Sequence, residues 1–172
     1  IGLEGLSAPM IGSGMVGLEL GISRPIGQTS LSMGFATSGW YGGATDLLGS
    51  IDLFSVMGSA GLMVRNRHRE INVEVGPWLK LGWLRAQGRP SEPESGGGTV
   101  DTFLLLALLR LNVRFRLTPR LWILASSQVG YTIRGLDGRA DARSAGGIRG
   151  VLIGLGVGLV FGEASAEQPE AR

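Results

Sequence analysis

Charged side chains recur at alternate positions inside otherwise apolar segments of this chain. Glu70 and Glu74 share one face of such a segment, and Arg110, Arg114 and Arg116 share one face of a later one. Successive side chains of a strand point to opposite faces, so each set would project to a single side of a sheet. A buried charge without a partner is very costly, so we predict a hydrogen-bonded ion-pair network. Its predicted members are Glu19, Glu70, Glu74, Lys80, Arg110, Arg114, Arg116 and Arg134.

The other chemistry-bearing residues favour no catalytic or cofactor role. His68 is the only histidine, and it lies between two arginines in a predicted turn, whereas acid–base catalysis needs a positioned partner in a pocket. Residues 96–98 are three glycines with no following Lys-Ser or Lys-Thr, which excludes a phosphate-binding loop. The chain has no cysteine, which excludes disulfides and thiolate metal sites. We therefore predict no catalytic residue, no metal, no cofactor and no enzymatic activity.

Composition excludes further classes of protein. The chain is 44% hydrophobic and carries 30 glycines, while its net charge of +2 is too small to argue for nucleic-acid binding. The longest apolar run, Phe103 to Leu109, ends at Arg110 and falls short of the roughly 18 residues of a membrane-spanning helix. The chain begins at Ile1 without a signal-peptide pattern, which suggests a mature form or a piece of a longer protein.

A period of two runs through most of the chain and predicts strands. It is clearest in Gly150 to Phe161, where one face is apolar throughout and the other is mostly glycine. Six earlier segments alternate in the same way, at about residues 15–23, 29–36, 51–65, 70–83, 103–118 and 121–134, although Leu104, Leu106 and Leu108 break the rule. Antiparallel closure of these segments needs one more strand at the start, and we identify Ile1 to Leu6 as its remnant.

The connections between these segments alternate between short and long. The long ones are predicted at Gly42 to Ser50, Ala86 to Asp101 and Gly135 to Gly147. The first belongs to a glycine-rich connection that starts at about Ser38 and carries Trp40 and Tyr41. Short turns at one end and long loops at the other are typical of a transmembrane β-barrel with periplasmic turns and extracellular loops. We therefore predict an all-β fold, an antiparallel transmembrane barrel of about eight strands over residues 1–162. The polar tail 163–172 is predicted to be periplasmic and disordered.

In this barrel the polar face becomes the lumen. Side chains just fill the interior of a barrel of about eight strands, so we expect the Glu/Arg network to plug it. Trp78 and Trp122 point inward by parity, and the glycine faces of the first and last strands would leave room for large side chains. Aromatic residues are expected on the outside in two girdles, with Phe54, Trp83 and Phe103 near the loops and Phe115 and Phe161 near the turns.

This pattern resembles the small eight-stranded bacterial outer-membrane barrels of the OmpA and OmpX type. The resemblance rests on the architecture and on the closing strand GVGLVF, whose aromatic end at Phe161 is similar to the signal read by the barrel-assembly machinery. It departs from that pattern because the tail continues past Phe161, as in barrels that carry further periplasmic sequence. The resemblance implies an outer-membrane location and contact with lipid, lipopolysaccharide and the assembly machinery.

The functional hypothesis is a non-enzymatic membrane anchor or a structural subunit of an envelope complex. Two alternatives are a narrow channel or small-solute transporter, and adhesion or ligand binding through the long loops. The structural alternative is a soluble lipocalin-like barrel with its apolar face inward, since alternation alone cannot tell inside from outside.

Overall fold

The chain forms a closed barrel of eight antiparallel strands in the computed structural model, which describes residues 2–8, 13–27, 29–46, 49–67, 70–90, 97–140 and 143–161. Each strand pairs with its neighbours in chain order, and the first closes the barrel against the last. The strands are β1 Gly2–Ala8, β2 Ser13–Pro25, β3 Leu31–Asp46, β4 Gly49–Arg67, β5 Ile71–Pro90, β6 Thr99–Thr118, β7 Leu121–Ala140 and β8 Arg143–Phe161. The predicted fold class is confirmed.

The strand at the start of the chain completes the barrel. Gly5 of β1 lies between Val16 of β2 and Leu155 of β8, and both pairings are antiparallel. β1 is thus paired along both of its sides, which closes the ring through residues 13–19 of β2 and 153–158 of β8. The predicted remnant at Ile1 to Leu6 corresponds to β1, with Ile1 itself outside the described residues.

The apolar face of the strands lies on the outside of the barrel. Leu155 is 68% exposed and Leu79 is 56% exposed, although both belong to strongly apolar segments. Further outward-facing residues are Val16, Leu18, Leu20, Leu81, Leu109, Val129, Val151, Ile153 and Val157. The lipocalin-like alternative is therefore wrong, because it requires these side chains inside. In the described ranges no helix is long and apolar enough to cross a membrane.

The strands run further at one end than the sequence pattern predicted. We call the end with the connections 26–30, 68–70 and 119–120 the turn end, and the opposite end the loop end. The extension is at the loop end, where β3 runs to Asp46 and β4 starts at Gly49. In the same way β7 runs to Ala140 and β8 starts at Arg143.

The predicted long loops are therefore wrong over most of their length. Gly42 to Ser50 and Gly135 to Gly147 are largely strand, and Ala86 to Asp101 reduces to the connection 91–98. A hairpin that extends beyond the apolar band has no apolar medium on one face, so it lacks the hydrophobic period although its backbone still pairs.

Candidate functional site: the charged interior of the barrel

A glutamate on β2 reaches across the barrel to two cations on the far wall. Glu19 accepts a hydrogen bond from Lys80 Nζ at 2.9 Å and another from Arg110 Nη1 at 2.5 Å. Lys80 lies on β5 and Arg110 on β6, whereas β2 pairs only with β1 and β3, so these bonds span the interior. Lys80 is fully buried, and the other two side chains nearly so. We call Glu19, Lys80 and Arg110 the Glu19 cluster.

A second carboxylate, nearer the turn end, is shared by two guanidinium groups. Glu74 on β5 is fully buried, and it bonds Arg65, which lies directly opposite it on β4. Arg114 on β6 donates to Glu74 Oε2 at 2.8 Å and to Ser23 Oγ, on the far wall, at 3.3 Å. We call Glu74, Arg65 and Arg114 the Glu74 cluster.

Most of the predicted network residues lie in these two clusters. Arg65 was missing from the prediction, although its parity with Ser55 and Met57 placed it on the inward face of its strand. The predicted residues that the structure brings together are Glu19, Glu74, Lys80, Arg110 and Arg114.

Two predicted network residues lie at the rim of the turn end. The exposed Glu70 precedes β5, and its backbone carbonyl accepts a hydrogen bond from the N–H of Arg116 at 3.0 Å. Arg116 is also exposed, with its guanidinium carbon 5.9 Å from the Trp122 ring centroid. Their placement in the buried network was wrong, because the strand ends there are open to solvent.

Arg134 is displaced by a β-bulge. Leu106 pairs with Thr132, but the preceding residue of β6, Leu105, pairs with Arg134, which leaves Ile133 as an extra residue on β7. An extra residue reverses the parity of everything beyond it. Arg134 is therefore aligned with the outward-facing Leu105 and is exposed, contrary to the prediction that it projects into the lumen.

Two buried tryptophans stack against the cations of the Glu19 cluster. Lys80 Nζ lies 5.1 Å from the Trp40 ring centroid, and the guanidinium carbon of Arg110 lies 5.1 Å from that of Trp78. Such cation–π contacts stabilise a desolvated charge. Trp78 was predicted to point inward, whereas Trp40 was assigned to a connection and missed. Trp122, the other predicted inward tryptophan, is half-buried near the turn end.

Glycines on two neighbouring strands make the space for Trp78. A Cβ at Gly34 would lie 2.7 Å from the indole of Trp78, and a Cβ at Gly61 would lie 2.6 Å from it. No side chain tolerates such distances, so both positions require glycine while the ring keeps its place. This is the role that was predicted for glycines of the first and last strands, and it is found here on β3 and β4.

The loop half of the interior is mostly apolar, with Ser55 and Thr132 as buried polar exceptions. Leu104, Leu106 and Leu108, which broke the alternation rule in the sequence, are buried inside the barrel. We call the fully buried leucine and isoleucine side chains of the interior the apolar layer; its members are Leu53, Leu84, Leu104, Leu106, Ile148 and Leu152. Along β6 the leucines come first and the lumenal polar residues follow, from Arg110 to Arg114. The interior is thus mostly apolar toward the loop end and charged toward the turn end.

A cavity of about 630 Å³ lies on the turn side of the Glu19 cluster. Both carboxylates and the three guanidinium groups of the clusters line it, together with Trp78 and Trp122. Among the residues that the structure describes, no group of His, Asp and Glu side chains could hold a metal ion. His68 lies outside the described residues.

The predicted girdle residues all lie on the strands, with their side chains on the outer face. Phe54 and Trp83 make an edge-to-face contact with ring centroids 6.0 Å apart, and Phe103 is the register partner of Trp83 on the next strand. Phe115 and Phe161 are exposed toward the turn end. Tyr41, opposite Phe54 on β3, extends the loop-end group beyond the prediction.

A comparison with solved structures finds a protein of similar fold. The crystal structure of Neisserial surface protein A (NspA) is similar at a TM-score of 0.55 and 15% identity, over 92% of this chain and 91% of that one. The N-terminal β-barrel domain of Pseudomonas aeruginosa OprF overlaps 94% of this chain and 96% of its own at 13% identity, but its TM-score of 0.37 is too low to support an argument. No protein-family model and no curated protein matches the sequence. The predicted resemblance to small eight-stranded outer-membrane barrels is confirmed at the level of the fold.

Proposed function

We propose that this chain is an integral barrel of the bacterial outer membrane that serves as a non-enzymatic anchor or as a structural subunit of an envelope complex. The observation that carries the proposal is the inverted distribution of side chains, with an apolar exterior and ion pairs inside. Only a surrounding apolar medium makes such an exterior favourable, since exposing it to water would cost about 25 cal/mol per Å². A closed ring of strands is one of two ways to cross that medium.

The same proposal includes a lumen closed to solutes. The apolar layer fills the loop half with leucine and isoleucine side chains that are almost fully buried. Below it, Glu19 ties opposite walls together through Lys80 and Arg110. A solute would have to displace the apolar layer and then separate desolvated charges, and breaking such pairs costs several kcal/mol.

The orientation follows by analogy with barrels of this architecture. We place the turn end and the tail 163–172 in the periplasm and the extended hairpins outside the cell. The outer surface would then contact lipid and lipopolysaccharide, and the closing strand would be recognised by the barrel-assembly machinery during insertion. Subunits of an envelope complex are the further partners that an anchoring role requires.

Two experiments test this proposal. Membrane-extracted protein run unboiled on a detergent gel should migrate faster than boiled protein, because a closed barrel stays compact in detergent. In planar bilayers the wild type should give no steady conductance, while Leu106→Ala combined with Leu84→Ala should open a leak through the apolar layer. A single unshifted gel band would contradict the closed barrel, and steady wild-type conductance would contradict the closed lumen.

A narrow channel or small-solute transporter is the second candidate. The cavity of about 630 Å³ favours it, because this space would form the turn-end part of a conducting path. The bilayer recordings separate the two candidates: wild-type conductance that Arg114→Ala changes would support a channel. Silent wild-type protein that conducts only after the leucine substitutions would support the closed lumen.

A further inference from the structure

The cavity at the turn end is a half-open pocket, whose lining includes the exposed Ile22 and Phe161 as well as interior residues. Its volume of about 630 Å³ lies within the roughly 300–1,000 Å³ of small-molecule sites. Toward the loop end it stops at the Glu19 cluster, behind which lies the apolar layer. At the other end its lining extends to Pro25 and Val160, close to the ends of their strands. A ligand entering there would be held without crossing the barrel.

The described charges on the wall are unbalanced. Arg65, Arg110 and Arg114 face the two carboxylates Glu19 and Glu74, which leaves one positive charge in excess. Lys80, outside this wall, also bonds Glu19 and so compensates that carboxylate further. The low dielectric of a barrel interior strengthens the resulting attraction for an anion.

The wall also holds donors that the protein leaves unused. Nη2 of Arg114 donates hydrogen bonds to Glu74 and Ser23, but its buried Nε has no hydrogen-bond partner among the described atoms. The same holds for the indole Nε1 of the buried Trp78. Buried polar groups are normally paired, so each unpaired donor favours binding of an acceptor. A guanidinium group matches the planar edge of a carboxylate and the face of a phosphate.

From these observations we propose that the turn-end cavity binds a small oxyanion, a carboxylate or a phosphate, with Arg114 as its main contact. The proposal needs the barrel fold, but it does not depend on an anchoring role. It also differs from a channel, because the ligand is held on the turn side of the Glu19 cluster.

Inorganic phosphate is the probe for the first test, by calorimetry on the purified barrel in a non-ionic detergent at low salt. We expect saturable binding in the millimolar range or tighter, weakened by added NaCl because the attraction is electrostatic. Arg114→Gln should weaken binding at least tenfold. The control Arg85→Gln removes an exposed guanidinium at the loop end, paired with Asp101, and should leave binding unchanged.

A second variant keeps the test decisive if Arg114→Gln fails to fold. Asn72 lines the cavity, so Asn72→Phe should fill the space without removing a charge, and phosphate binding should be lost. Both variants are first checked for the fast-migrating unboiled band. The proposal is refuted if the wild type shows no saturable binding, or if the folded variants bind phosphate as well as the wild type does.

Discussion

Removing the carboxylate of Glu19 should destabilise the barrel strongly. Glu19→Ala takes away the group shared by Lys80 and Arg110, which lie in the interior with little or no exposure. A hydrogen bond to a charged group contributes about 1.5–3 kcal/mol, so two such bonds suggest a loss of about 3–6 kcal/mol. Breaking one side of a buried ion pair typically costs about 3–5 kcal/mol. We therefore expect the free energy of unfolding to fall by about 3–5 kcal/mol.

The assay is urea unfolding of the vesicle-inserted barrel, followed by tryptophan fluorescence and extrapolated linearly to zero urea. The matched control is Asp101→Ala, which breaks an exposed ion pair with Arg85 at the loop end and should lower the midpoint far less, because an exposed pair contributes little. A combined Glu19→Leu, Lys80→Met and Arg110→Leu variant should recover most of the loss, because apolar side chains of similar volume can replace a buried ion cluster. A Glu19→Ala barrel as stable as the wild type would refute this reasoning.

Three further predictions test the packing, the exterior and the rim. Gly34→Val should lower the free energy of unfolding by about 1–3 kcal/mol, because the added side chain overpacks against Trp78. The control Gly39→Val, on the outer face of the same strand, meets open space and should lower it little in urea unfolding. Equal effects would contradict the packing argument. Leu79→Arg should lower the free energy of unfolding in vesicles by about 2–4 kcal/mol if that side chain faces lipid. Gln87→Arg, nearer the loop end, should lower it less, and the reverse order would contradict the placement of Leu79. At the rim of the loop end, the hydrogen bond from Arg85 and its charge hold the pKa of Asp101 below its usual value. The small stabilisation by this pair is therefore present above the ordinary carboxyl pKa and is lost as pH falls through the lowered one. Carboxyl NMR should give a low pKa that rises in Arg85→Gln, and an unchanged value would contradict the pairing.

The sequence was sufficient for the strands that cross the apolar band. There the side chains alternate between two different media, so a period of two is imposed on every crossing strand. The same rule identified Glu19, Glu74, Lys80, Arg110 and Arg114 as inward-facing. It also contained the information for Arg65, which shares a face with Met57 but was not considered as a partner for Glu74.

Features that depend on pairing between strands could not be predicted in this way. The bulge at Ile133, which turns Arg134 outward, is a property of the β6–β7 register and leaves no mark in the local alternation. Trp40 was assigned to a loop because the residues around it are mostly glycine, although paired strands surround it in the barrel. Leu104, Leu106 and Leu108 looked like exceptions because a lumen was expected to be polar along its whole length.

The orientation of the two faces is the central claim, and a spin label tests it most directly. The chain has no cysteine, so single labels at Leu79 and at Trp78, adjacent residues on opposite faces of β5, are simple to introduce. In vesicles the label at Leu79 should be relaxed strongly by lipid-soluble oxygen and weakly by a water-soluble nickel chelate. The label at Trp78 should be far less accessible to oxygen. Strong relaxation by the nickel chelate at Leu79, together with high oxygen accessibility at Trp78, would contradict a membrane barrel with an apolar exterior.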